Sequence, residues 1–335
     1  MVTRLEVRNL IVELPTQSGW VRPVNEVSFA LNEGETLGIV GESGSGKTML
    51  SLALMGLAPP GARRKGEAWL HQQDRAADSR GINILSASPD EMRALRGREI
   101  AMIFQEPMTA LNPVMQIGAQ IEEAIRVHEQ AAKQTEIHGR AMQALERAAL
   151  PDPELRARQY PHQLSGGLRQ RVMIAMALAG GPGVLIADEP STALDVTIQK
   201  QILELLARLR TELGLSLLFI THDLGVVAQI ADRIIVMYAG RIVEHGPTMD
   251  VLRHPRHPYT EGLLRAAPRL ERGKLVPIPG TVPALNALPP GCAFAPRCPY
   301  HVRECDTKVP ELRSAGLNHN ARCILVSWAQ PTTAN

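Results

Sequence analysis

Residues 41–48 of this 335-residue chain read GESGSGKT, which fits G-x-x-x-x-G-K-T. Glycines at that spacing let successive backbone N–H groups turn inward around phosphate oxygens. In that pattern Gly41, Glu42, Ser43, Gly44, Ser45 and Gly46 form the cradle, Lys47 neutralises charge on β- and γ-phosphates, and Thr48 offers a hydroxyl to Mg²⁺. A second chemical centre is VLIADEP, residues 184–190, where an apolar run ends in two carboxylates. Of Asp188 and Glu189, one can hold Mg²⁺ through water and the other can accept a proton from an attacking water. Gln105 follows the run IAMIF and suits the metal shell or the attacking water. His222 follows LLFIT and can donate to a γ-phosphate. QLSGGLRQR, residues 163–171, sets Ser165, Gly166 and Gly167 just ahead of a helical pattern, a second anion-seeking turn.

These groups need a scaffold that delivers them to one edge. TLGIV (36–40), IAMIF (100–104), VLIAD (184–188), LSLLFIT (215–221) and IIVMYAG (234–240) read as buried strands. RLEVRNLIVE (4–13) alternates apolar and charged residues, as a strand with one wet face does, and VNEVSFALNEGE continues the pattern to a turn at Gly34. Helical spacing occupies 47–57, 117–127, 140–149, 167–179, 197–212 and 224–231. Strands alternating with helices predict an α/β fold with a largely parallel sheet, whose ligands gather at the carboxyl ends of the strands. Proline becomes dense from about residue 253, which sets a boundary near 255, and the tail after Trp328 reads as frayed.

Composition narrows the classes. Apolar residues make up 44 % and charged residues 21 %, ordinary for a globular protein. A net charge of +2 gives no electrostatic case for nucleic acid. The longest uncharged stretch, 172–187, is too short to span a membrane and is broken by GGPG. The N-terminus lacks the apolar core of a signal peptide, so a cytoplasmic protein is expected. The four cysteines, Cys292, Cys298, Cys305 and Cys323, follow C-x5-C-x6-C-x17-C. Zinc sites usually carry one close pair, absent here. An iron–sulfur cluster takes its spacing from the fold, and unpaired thiols in a buried knob remain the third reading.

The set QLSGGLRQR, GESGSGKT, LIADEPSTALD and ITHD resembles the ATPase subunits of ABC transporters, in order and spacing, over residues 1 to about 250. The resemblance implies a P-loop NTPase core with a mostly parallel sheet, an antiparallel β subdomain and a helical subdomain at about 105–180, together spanning 1–254. It makes Gln105 the Q-loop residue, Asp195 the D-loop residue and His222 the switch histidine. It also implies head-to-tail pairing of two such domains, in which Ser165, Gly166, Gly167 and Gln170 of one cap the ATP held by the other. The family stacks adenine on an early aromatic residue, and Trp20 is the candidate. Met108, Leu111, Val114 and Met115 are candidates to line a groove for a permease helix.

HPRHPYTEGLLRAAP and GCAFAPRCPYHVREC, with a final cysteine, resemble the C-terminal extension (255–335) of the oligopeptide/dipeptide importer subfamily. Some of its members carry a [4Fe-4S] cluster on such cysteines. The implied protein hydrolyses ATP with Mg²⁺ to drive dipeptide or oligopeptide uptake, from the cytoplasmic face of a bacterial inner membrane. Its implied partners are a second ATPase chain, preferably a different one, two permeases and an extracytoplasmic binding protein. Import of nickel, glutathione or another small solute on the same architecture stays open. A soluble ABC ATPase acting on nucleic acid or ribosomes would show coiled-coil insertions or tandem cassettes, and this chain has neither.

Overall fold

The computed structural model describes all residues except 1, 18, 73–80, 107–109, 130, 193, 268–276 and 329–335. Met108 and the tail after Trp328 therefore lie outside the described residues. In chain order the elements are β1 (Thr3–Thr16), β2 (Gly19–Asn32), β3 (Thr36–Val40), α1 (Lys47–Leu54), β4 (Arg63–Leu70), β5 (Ile82–Asn83), α2 (Pro89–Leu95), β6 (Ile100–Ile103), α3 (Ile117–Arg126), α4 (Gln134–Arg147), α5 (Pro153–Ala157), α6 (Gly166–Leu178), β7 (Val184–Asp188), α7 (Val196–Leu213), β8 (Ser216–Thr221), α8 (Leu224–Ile230), β9 (Arg233–Tyr238), β10 (Arg241–Pro247), α9 (Thr248–Arg253), α10 (Pro258–Ala266), β11 (Arg313–Gly316) and β12 (His319–Ala321). They fall into two compact units.

The first unit comprises Met1–Glu6, Ala30–Glu35 and Trp69–Leu218. Its β6 and β7 run parallel, with Ile103 opposite Ala187, and every residue of both strands is buried. Helix α3 buries Ile117, Ile121 and Ile125, one residue every four, which makes a single apolar stripe. Helix α7 does the same with Ile202, Leu205, Leu206 and Leu209. The loop before α3 is pinned by Gln120, whose amide accepts from Asn112 N at 2.9 Å and donates to Met115 O at 2.9 Å. Leu111 is buried while Val114 is 79 % exposed. Leu111 therefore joins the core and cannot line an open groove.

The second unit comprises Val7–Phe29, Thr36–Ala68 and Phe219–Asn335. Strand β9 pairs parallel with β3 and antiparallel with β10, β10 pairs with β12, and β12 pairs with β11. Strands β2, β1 and β4 lie side by side in a separate sheet. Helix α8 packs against β3 so closely that a Cβ on Gly38 would sit 2.6 Å from Val227 Cγ1.

Sequence periodicity does not anticipate β4, β5, α2, α5 or the elements after β9, and it starts α4 six residues late. Helix α10 forms within proline-dense sequence because Pro258 occupies its first turn, where a missing N–H breaks no helical bond. Strands β11 and β12 have four and three residues, too few for alternation to register.

Gly38→Val should destabilise the chain by about 1–3 kcal/mol, the usual cost of overpacking. Urea unfolding followed by circular dichroism checks this.

Candidate functional site

Residues 41–46 join β3 to α1, and Lys47 and Thr48 open the helix, as their pattern predicts. Gly44 and Gly46 take φ of +78° and +101°, the left-handed region that suits glycine. Gly41 and Gly46 are fixed by proximity as well. A Cβ on either would collide with a backbone carbonyl, Met237 O for Gly41 and Pro23 O for Gly46. Gly240 N donates to Ser45 O at 3.0 Å, and Asn25 N donates to Gly240 O at 2.8 Å, so the loop is braced from outside. Lys47 folds back over it. Its Nζ donates to Gly41 O at 2.7 Å, Glu42 O at 3.0 Å and Ser45 Oγ at 3.3 Å. Ser43, Gly44 and Thr48 face solvent.

Glu42 has partners that its motif does not foretell. Its N–H donates to Tyr259 Oη at 2.7 Å. Its carboxylate takes both Arg297 terminal nitrogens, at 2.7 and 3.0 Å. Trp20 is 45 % exposed, and the Arg63 guanidinium carbon lies 3.9 Å from its ring centroid, covering one face. His222 follows β8 and is exposed. The next residue, Asp223, caps α8 by accepting from Gly225 N at 2.7 Å.

In the first unit, the parallel register of β6 and β7 brings Gln105 beside Asp188 and Glu189. Gln105 Nε2 donates to Glu189 Oε2 at 3.4 Å. Asp188 is 1 % exposed. Glu189 has φ of +47°, uncommon for a side-chain-bearing residue. Thr192 secures it twice, with Oγ1 donating to Glu189 Oε2 at 2.8 Å and N donating to Glu189 O at 3.2 Å. Thr192 escapes sequence reasoning because a lone threonine after an acid carries no distinctive signal.

Ser165 caps α6, its Oγ accepting from Leu168 N at 3.4 Å. Gly166 and Gly167 open the helix. A Cβ on Gly167 would stand 2.8 Å from Ile198 Cγ2, so glycine here permits α6 to approach α7. Asp195 caps α7, accepting from Ile198 N at 2.9 Å. Gln170 is buried at 2 % exposure, and its Nε2 has no partner among the described residues. The helix start that reads as anion-seeking thus exists, with its cap in place.

The four cysteines are all free thiols, Cys305 and Cys323 buried and the others half-buried. Cys292 N donates to Cys305 O at 2.7 Å. Burial raises the pKa of Cys292, Cys298 and Cys323, and neighbouring thiols add to each shift. Among the described residues no group of three or more His, Cys, Asp or Glu side chains is arranged to hold a metal ion. The iron–sulfur expectation therefore finds no support in this geometry.

Comparison with known proteins gives a consistent picture. Residues 24–192 match the family model described as ABC transporter, and residues 243–305 match the oligopeptide/dipeptide transporter C-terminal region. A Brucella melitensis protein named "Putative peptide import ATP-binding protein" is 49 % identical over 331 residues, 96 % of each chain. A Brucella abortus protein with the same descriptive name is 47 % identical, covering 95 % of this chain and 94 % of that one. Among solved structures, the ATP-binding cassette MJ0796, a dimer in a post-hydrolysis state with ADP and Pi, aligns with a TM-score of 0.63 and 28 % identity. That alignment covers 73 % of this chain and 98 % of that one. The cbiO1 protein of Clostridium perfringens, part of an ABC transporter complex, aligns with a TM-score of 0.62 and 26 % identity, covering 76 % and 92 %.

Cys298 gives a direct test of the thiol state. Its pKa is pushed up to about 11, first by burial and then by the other three thiols. Thiolate is the reactive form, so at neutral pH iodoacetamide should label Cys298 about a hundredfold more slowly than an ordinary thiol. The rate should rise about tenfold per pH unit up to that pKa. Mass spectrometry of timed, alkylated samples reads both.

Proposed function

The chain belongs to the ABC transporter family of ATP-hydrolysing cassettes, and from that premise we propose that it is the ATP-binding subunit of a peptide importer. The nucleotide reading is carried by Lys47, whose ammonium is held over a loop braced at the start of α1. In this reading Lys47 and the Gly41–Thr48 amides, other than those of Glu42 and Ser45, which donate to Tyr259 Oη and Glu42 O, take the β- and γ-phosphates. Thr48, Gln105 and Asp188 supply hard oxygen donors, the set that suits Mg²⁺. The ion, when bound, neutralises charge on the transferring phosphoryl group. Glu189 takes the proton of the attacking water, and Thr192 and Gln105 aim its carboxylate. His222 donates to the γ-phosphate, and Trp20 offers a face to adenine.

The signature turn serves a second cassette. Ser165, Gly166, Gly167 and Gln170 approach the nucleotide of a partner, with Asp195 on the adjoining helix start. The dimeric, ADP-bound state of the MJ0796 cassette supports that pairing. ATP then joins two subunits, and loss of the γ-phosphate releases them.

The peptide part of the reading is supported by the match of residues 243–305 and by the names of the Brucella relatives. Residues 1–254 act as the ATP-binding domain and 255–335 as the subfamily extension. No described helix is long and apolar enough to cross a membrane, so two permease subunits provide the passage and hold this chain at the cytoplasmic face. A different ATPase chain as partner and an extracytoplasmic peptide-binding protein complete the assembly. An iron–sulfur cluster is no part of the reading.

Glu189→Gln should keep ATP binding and lower hydrolysis by about 10²–10⁴-fold, the usual contribution of a general base. Phosphate release measured beside nucleotide binding checks it, and a variant hydrolysing at the native rate removes Glu189 from the role. Lys47→Ala should weaken nucleotide binding itself. Ser165→Ala, mixed with wild-type cassettes, should impair the site on the subunit that does not carry the substitution.

A further inference from the structure

A glutamate beside a polyphosphate site is electrostatically adverse. Glu42 is such a residue: its carbonyl accepts from Lys47 Nζ, and its amide lies within the phosphate-binding motif. An uncompensated carboxylate there would repel the anionic ligand. It would also compete for the Lys47 ammonium. The compensation comes from far along the chain. Arg297 grips Glu42 with both terminal nitrogens, and its Nε donates to Pro279 O at 2.9 Å. A third contact runs from its terminal nitrogen to Tyr238 Oη at 3.4 Å. The Arg297 side chain is only 4 % exposed.

The setting holds the guanidinium in one orientation. Tyr238, Tyr259 and Phe294 pack against one another with ring centroids 4.6 to 5.4 Å apart. The Arg297 guanidinium carbon lies 5.8 Å from the Tyr238 centroid and 5.9 Å from that of Phe294. Tyr259 of the same cluster takes the Glu42 N–H. A two-pronged arginine–carboxylate pair is both strong and directional, and burial weakens the screening that salt would provide.

We propose that Arg297, in the C-terminal extension, is a positioning residue for nucleotide binding, acting by neutralising Glu42 so that Lys47 and the loop amides stay committed to phosphate. The extension thereby becomes an electrostatic component of the nucleotide site. This rests on the reading of residues 41–48 as that site.

The test uses the full-length chain and ADP as probe, with affinity measured by isothermal titration and folding checked by thermal unfolding. Arg297→Met should weaken ADP binding roughly tenfold or more, by exposing the ligand to the Glu42 charge. Glu42→Gln should tighten it, since it leaves Arg297 as an uncompensated cation. Glu42→Gln/Arg297→Met should return close to the wild-type affinity, and because it removes the buried cation together with its half-buried partner it should fold even where Arg297→Met alone does not. A merely structural pair predicts the opposite for the second variant, since either single change would then weaken binding. Weaker binding by Glu42→Gln, an Arg297→Met affinity equal to wild type, or a double variant well below wild type overturns the proposal. A wild-type chain that does not bind ADP overturns the nucleotide-site reading itself and the proposal with it.

Discussion

The chemistry of this chain depends on one constraint: polar groups must be held at the ends of buried elements, where the backbone changes direction. Residues 41–48 leave β3, Gln105 leaves β6, Asp188 and Glu189 end β7, and His222 leaves β8. Ser165, Asp195 and Asp223 are helix caps whose oxygens accept first-turn N–H groups. At such ends strands stop offering ladder bonds and helices have unspent amides, so backbone polarity turns toward a ligand without leaving the core unsatisfied. The buried strand interiors fix where those ends fall.

Much of this was readable beforehand because the informative residues are adjacent in sequence. A phosphate loop, an acid pair after a strand and a serine–glycine helix start are local patterns, and local patterns survive without a fold. What stayed hidden depends on pairings between distant residues. Arg297 sits in APRCPY, where nothing marks it as the partner of Glu42. Thr192 acquires meaning only from the turn that sets its hydroxyl on Glu189. Leu111 looked suited to an exposed groove, yet a loop pinned by Gln120 turns it inward. The four cysteines cluster in sequence and suggest a ligand set, but among the described residues no group of three or more such side chains is arranged to hold a metal ion.

The C-terminal extension is built into its unit by polar as well as apolar bonds. Glu244 on β10 is fully buried, yet its carboxylate accepts from Arg256 N at 2.6 Å and His257 N at 3.0 Å, and His319 Nε2 lies 2.7 Å away. A buried carboxylate is tolerable when so many partners satisfy it. His257 is in turn buried, which lowers its pKa to about 3 and keeps the ring neutral, and its Nδ1 accepts from Tyr259 N. The same tyrosine then reaches Glu42, so a continuous set of bonds runs from β10 to the phosphate loop.

The pair formed by Glu42 and Arg297 joins residues 255 positions apart. A ribosome makes the loop early and its counter-charge late, separated by roughly 10–50 s at ordinary elongation rates. Throughout that interval the nascent chain holds Glu42 without the Arg297 that pairs with it in the finished protein.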